Sequence, residues 1–193
     1  MKNIILGLSL LVSASVLLAN VDGEPKLTTK EAQIKMKASL GLLDNELKQR
    51  IGKLSDSTKG TLIQIYRHHD RHSMQSTLRQ VMQEVGQDYE TMVSAVFMNN
   101  PEMAADAARR IANHRIPRGG LIAYLELDQI TDELLGGLDS MNTAVEGNAI
   151  KFAQAAEKGD MAGAAALLSP IANGCVACHV IFRGKPGTNV HIK

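Results

Sequence analysis

Apolar and polar positions recur with a helical period along almost the whole chain. Between residues 73 and 98, Met74, Leu78, Val81, Met82, Val85, Tyr89, Met92, Val93 and Val96 follow one another at steps of three and four. That is the stripe of a helix with one face in a bundle core. Residues 29–54, mixing Ala, Leu, Lys and Glu, carry a charged and an apolar face and predict another helix. Pro101 opens a shorter one, PEMAADAARRIANHR, at the first-turn position where proline is tolerated, and IPRGG at 116–120 breaks it. A fourth segment starts near Asp128 or Thr131 and runs to Lys158, where a KGD turn ends it. The last begins around Asp160, a suitable capping side chain, and continues until Gly184 and Pro186 stop it. Residues 55–72 are ambiguous: SDSTKG reads as a break, and TLIQIYRHHDRH as a backward extension of the next helix.

Strand signals are nearly absent, with aromatic residues at 3% and no Asn-Gly turn. The expected fold class is all-α: an antiparallel four-helix bundle with an additional N-terminal helical extension. The start of the chain follows a different pattern. Lys2 precedes an apolar run from Ile4 to Leu18 with small residues after it, the make-up of a signal peptide over residues 1–22. The run falls short of the roughly 20 residues of a membrane-spanning helix. Cleavage near Ala19 or Gly23 is expected, with an uncleaved anchor as the alternative. No later segment reads as apolar enough to span a bilayer, so a soluble, exported, periplasmic protein without a membrane partner follows. The organisation expected is a signal peptide (1–22), a helical extension (24–72), a four-helix-bundle domain (73–187) and a tail (188–193).

Charge narrows the partners. The formal net charge is +1, and removal of residues 1–23 takes away one base and one acid and leaves it unchanged. Neither nucleic acid nor an anionic membrane surface is called for. No nucleophile–base arrangement, phosphate loop or carboxylate pair is evident, and Asp132 and Glu133 are adjacent and diverge on a helix. Enzymatic turnover is not expected.

The chemistry lies near the end. NGCVACHVIFRG, residues 173–184, holds both cysteines of the chain, Cys175 and Cys178, with His179 directly after them. On a helix these positions are i, i+3 and i+4 and share a face. Two thiols and an imidazole so placed suit the two vinyl groups and the iron of one haem c, the c-type attachment pattern. A thioredoxin-type disulfide would need a βαβ context and a helix start under the thiol. A zinc site would need two further ligands, which the group His68, His69 and His72 offers. His68 and His72, one helical turn apart, could ligate iron or a second metal, but they stand among Arg67, Asp70 and Arg71, the pattern of a solvated face. His114 lies near a helix end between Arg110 and Arg115, and His191 in the tail. No methionine follows His179, so a second iron ligand must come from upstream.

CVACHVIFR resembles the C-terminal signature of the cytochrome c prime family, the class II c-type cytochromes. FAQAAEKGDMAGAAALLSPIANG is similar to the run-in of its last two helices, and LRQVMQEVGQDYETM resembles its first helix, with Met82 four residues before Gly86. The resemblance spans about residues 73–187 and leaves out 24–72. It implies a four-helix bundle carrying one covalent haem c, with His179 as proximal iron ligand and Arg183 near the proximal face. In one branch of the family a first-helix methionine, here Met82, is the distal ligand of a low-spin electron carrier. In the other the sixth position is open and binds small gases such as nitric oxide or carbon monoxide. The family often has an arginine four residues before this point; here that position is Leu78, with Arg79 one later. A redox partner protein, a homodimer, and docking of either through residues 24–72 are further expectations.

Overall fold

Helix starts are written into the chain as capping side chains, and their positions decide where the periodic pattern is cut. In the computed structural model, residues 25–183 are described; the expected signal peptide, the stop at Gly184 and Pro186, His191 and the tail lie outside them. The described residues are all-α, and no strand occurs among them; His72 and Ile116 form an isolated bridge. The stretch expected as one helix over 29–54 is two, α1 (Thr29–Gly41) and α2 (Asn45–Gly52). The division falls at Asp44, whose backbone is extended and whose carboxylate accepts from the Leu47 N–H at 2.8 Å. That side chain satisfies a donor left over by the helix start, so a new helix begins there.

SDSTKG starts a helix instead of breaking one. Ser55 caps α3 (Asp56–His68), its hydroxyl accepting from the Thr58 N–H at 3.2 Å. The expected backward extension of the next helix is also corrected. His69–Thr77 separates α3 from α4 (Leu78–Phe97), which opens on a Thr77–Gln80 capping box. There each side chain bonds the other's backbone N–H, at 2.8 and 3.3 Å. Pro101 stands at the start of α5 (Pro101–Ala112) as expected. IPRGG leads into two single 3₁₀ turns, Ile122–Tyr124 and Leu127–Gln129.

The fourth predicted helix is a composite. It comprises α6 (Asp132–Gly136), α7 (Leu138–Asn142), a π-helical turn (Thr143–Gly147) and α8 (Asn148–Glu157). Asp160 then caps α9 (Met161–Ala166), its carboxylate accepting from the Gly163 N–H at 2.8 Å, and α10 (Leu168–Phe182) follows.

Packing follows the apolar faces. α4 lies on α5, α5 on α8, and α10 on the π turn. The core along α4, α5 and α8 is built mostly of small side chains, among them Ala95, Ala104, Ala107, Ala108, Ala149 and Ala153, around Met92, Ile111, Phe152 and Ile171. Alanine at such positions lets backbones approach closely. A second cluster joins Leu43, Leu47, Ile51, Leu54 and Leu62 to Ile122, Leu125, Ile130, Leu135, Leu138 and Phe182. Residues 43–62 thus spend their apolar face inside the molecule.

Met161–Phe182 is long and apolar enough to cross a membrane, with a mean hydropathy of 1.7, yet only 17% of its most apolar window is buried. This corrects the expectation that no segment beyond the signal peptide meets that test. Its apolarity comes from alanine and scattered Leu, Ile, Val and Cys, with no charged residue between Met161 and Phe182.

Candidate functional site

α10 buries one side and bares the other. Ile171, Gly174 and Phe182 face the core. At Gly174 the fit leaves no room for a side chain. A Cβ there would meet Val145 Cγ2 at 2.7 Å and Ala144 at 3.1 Å, both on the π turn. On the outer side Val176 and Val180 are 61% and 80% exposed. They stand one turn apart, with Asn173, Ala177 and His179 exposed around them.

Cys175, Cys178 and His179 lie on α10, the first two half-buried and the imidazole exposed. Both thiols are free. Cys175 packs at the border of the alanine-rich cluster, to which Val85 and Tyr89 of α4 also belong. Cys178 packs against the second cluster, whose margin includes Leu121 and Tyr124. The motif therefore straddles the seam between the two cores. Tyr89 ties α4 to the start of α10, its hydroxyl donating to the Leu168 carbonyl at 3.1 Å.

Burial pushes both thiols above the ordinary cysteine range, and the neighbouring Cys175 adds to this at Cys178. A redox-active C-x-x-C pair needs the opposite, a thiolate stabilised at a helix start. These cysteines stand in the second half of their helix. Nor do they gather the histidines expected for zinc. Among the described residues, the one group of three or more His, Cys, Asp or Glu whose ligand atoms converge is His69, His114 and Glu146.

Met82 sits one turn into α4, half-buried beside the fully buried Val81, with Leu78 half-buried and Arg79 exposed. A Cβ added at Gly86, one turn further along, would meet nothing within 4 Å. Gly86 is itself exposed, so that space is solvent. Arg183 caps the C-terminus of α10, its backbone N–H donating to the His179 carbonyl at 3.1 Å, and its side chain is exposed.

The donor types are those that covalent haem attachment uses. Two free thiols and an accessible imidazole sit at the right intervals on one helix.

Sequence reasoning assigned His68 and His72 to a solvated face. Both are half-buried, His72 with its ring 5.2 Å from that of Tyr66, and His69 beside them is fully buried. Glu146 was missed altogether. Burial would push its carboxyl up, but the His69 charge and a hydrogen bond from His114 hold it down at about 2. No signal in the sequence separates this glutamate from the exposed acids around it, because its burial depends on the π turn. No protein-family model, curated protein or solved structure matches the chain.

Proposed function

We propose that the chain is an exported mono-haem c-type cytochrome that carries electrons. Cys175 and Cys178 would hold haem c as thioethers, with His179 as proximal and Met82 as distal iron ligand. The observation that carries this reading is that two free thiols, half-buried at the seam between the two cores, and an accessible imidazole lie within little more than one turn of α10. Haem iron supplies one-electron redox chemistry at a potential set by its axial ligands and burial.

The chain's own residues do the rest. Val176, Val180, Val85 and Leu121 exclude water from the covered face. His179 offers an imidazole nitrogen, and Met82 a thioether that favours the reduced metal. Arg183 sets a cation at the end of the same helix. On this reading α4, α5, the composite 132–157 and α10 form the antiparallel four-helix bundle, and residues 24–72 its helical extension. Residues 1–22 direct the protein to the periplasm, where it meets a redox partner protein and pairs as a homodimer.

The half-burial of Met82 also suits a second reading, a five-coordinate iron that binds nitric oxide or carbon monoxide, with Met82 as a wall of the pocket. Visible spectra of the exported protein, ferric and ferrous, with and without carbon monoxide, separate the two. The electron carrier shows the long-wavelength ferric band of Met-ligated haem, lost in Met82→Leu, and does not respond to the gas. A high-spin ferrous spectrum that shifts with carbon monoxide selects the second reading. Haem that acid–acetone extracts from the wild type would refute both.

A further inference from the structure

The convergence of His69, His114 and Glu146 stands apart from α10 and has no part in the function above. The three come from separate parts of the chain: the end of α3, the link after α5 and the π turn. His69 Nε2 and His114 Nε2 each lie 3.4 Å from Glu146 Oε1, and all three ligand atoms fall within 4.8 Å of one another. The histidine rings stand 4.5 Å apart, centre to centre. His69 is wholly buried and Glu146 nearly so.

The outer nitrogens fix what the inner ones present. His69 Nδ1 is 2.7 Å from the Ile65 carbonyl oxygen, and His114 Nδ1 is 3.1 Å from that of Arg115. A carbonyl oxygen only accepts, so each Nδ1 carries the proton and donates. Each Nε2, facing the carboxylate, then carries either a second proton or a lone pair. His69 Nε2 is fully buried and makes no hydrogen bond. At 3.4 Å a second proton makes only a long hydrogen bond to Glu146, whereas a lone pair there is matched by a cation between ring and carboxylate. The donation from Nδ1 to a backbone carbonyl is also the outer-shell arrangement that orients metal-binding histidines.

The spacing matches an ion. Two ligands at 2.0–2.1 Å from zinc, at the tetrahedral angle, lie about 3.3–3.4 Å from each other. A cavity of about 30 Å³ lined by Glu146, His68, Asp139 and Asn142 adjoins the cluster. That is room for one water on the Glu146 side, and neither His69 nor His114 lines it. Two imidazoles and a carboxylate suit a divalent ion of the zinc type, while hard magnesium or calcium would want more oxygens. A π turn inside a helix is itself a frequent mark of a functional position.

We propose that His69 Nε2, His114 Nε2 and the Glu146 carboxylate bind one zinc-type divalent cation, with water as fourth ligand. The ion clips the α3 end, the α5 exit and the π turn together.

The test uses the full exported protein, dialysed against chelator, with Zn²⁺ as the probe. The chain takes up one zinc equivalent, its thermal midpoint rises on addition, and zinc-edge X-ray absorption shows only N and O neighbours near about 2.0 Å. Glu146→Gln and His114→Gln lose affinity by more than the roughly 10–100-fold that outer-shell changes cost. A folded wild type that takes up no stoichiometric zinc and keeps the same midpoint overturns the proposal, whether or not the variants fold. Sulfur neighbours near about 2.3 Å would also overturn it, because they would place zinc on Cys175 and Cys178. Haem content is read separately and bears on neither outcome.

Discussion

Replacing Gly174 by alanine probes the contact on which the site's helix rests. On helix preference alone the change stabilises by about 1 kcal/mol. The packing opposes it. The new methyl would stand 2.7 Å from Val145 Cγ2, 3.1 Å from Ala144 Cβ and 3.2 Å from the Ala144 carbonyl carbon. Val145 has other rotamers, but the Ala144 backbone does not turn aside without unwinding the π turn. The cost therefore falls in the upper part of the roughly 1–3 kcal/mol for overpacking. The net expectation is a loss of about 1–2 kcal/mol, or a fall of roughly 2–8 °C in Tm for a chain of this size. Thermal melts of wild type and variant, followed by far-ultraviolet circular dichroism, measure it. Adding Val145→Ala removes the nearest clash, so the double variant recovers part of the loss, with a coupling of about 0.5–1 kcal/mol. A Gly174→Ala protein that melts at or above wild type would refute the reasoning, because α10 would then stand clear of the π turn.

Two further outcomes follow from the second core and the seam beside it. Leu47 is fully buried among Leu43, Ile51 and the side chains of 122–138, so Leu47→Ala should cost about 2–5 kcal/mol in denaturant unfolding. A cost under about 1 kcal/mol would mean that residues 43–62 do not share that core. Asp132 accepts from the Thr58 hydroxyl at 2.5 Å and from the Ser55 N–H and hydroxyl at 2.9 and 2.8 Å, which hold its carboxyl below the ordinary aspartate value of 3.8. Its folded pKa is depressed, so its contribution is complete above 3.8 and is lost as pH falls through the lower folded value. The melting curves of wild type and Asp132→Asn should differ at neutral pH and converge below that value; a gap independent of pH would count against the bond network.

How much the sequence discloses depends on how local each signal is. The α4 stripe, Pro101 at the head of α5 and Asp160 before α9 were legible, because periodicity and caps act within a turn or two. Ser55 misled, because a Ser-Asp-Ser-Thr run reads equally as a turn and as a helix start; the helix wins because Asp132, 77 positions away, bonds the capping serine. The split at Asp44 was hidden inside a helical composition that a single carboxylate interrupts. C-x-x-C-H was legible because the pattern is short and rigidly spaced. His69, His114 and Glu146 were not, since they are 45 and 32 positions apart and only the folded chain brings them together. The arginines and aspartate around His68 and His72 suggested solvent, yet both are half-buried and the helix end turns His69 between them inward.

The π turn explains why one short segment serves both places. Successive residues on a helix point about 100° apart, so Val145 and Glu146 address different neighbours. Val145 meets Gly174, next to Cys175, while Glu146 reaches the two histidines. Burying a carboxylate beside imidazoles is a poor way to gain stability, because well-packed apolar side chains in its place are often neutral or better. The 3.4 Å separations are longer than charge-assisted hydrogen bonds prefer. An ionised Glu146 facing two histidines at long range, with both Nδ1 atoms already committed to carbonyls, is the arrangement the proposed cation would complete. An ion there would stiffen the turn on which α10 lies, and with it the helix that presents Cys175, Cys178 and His179.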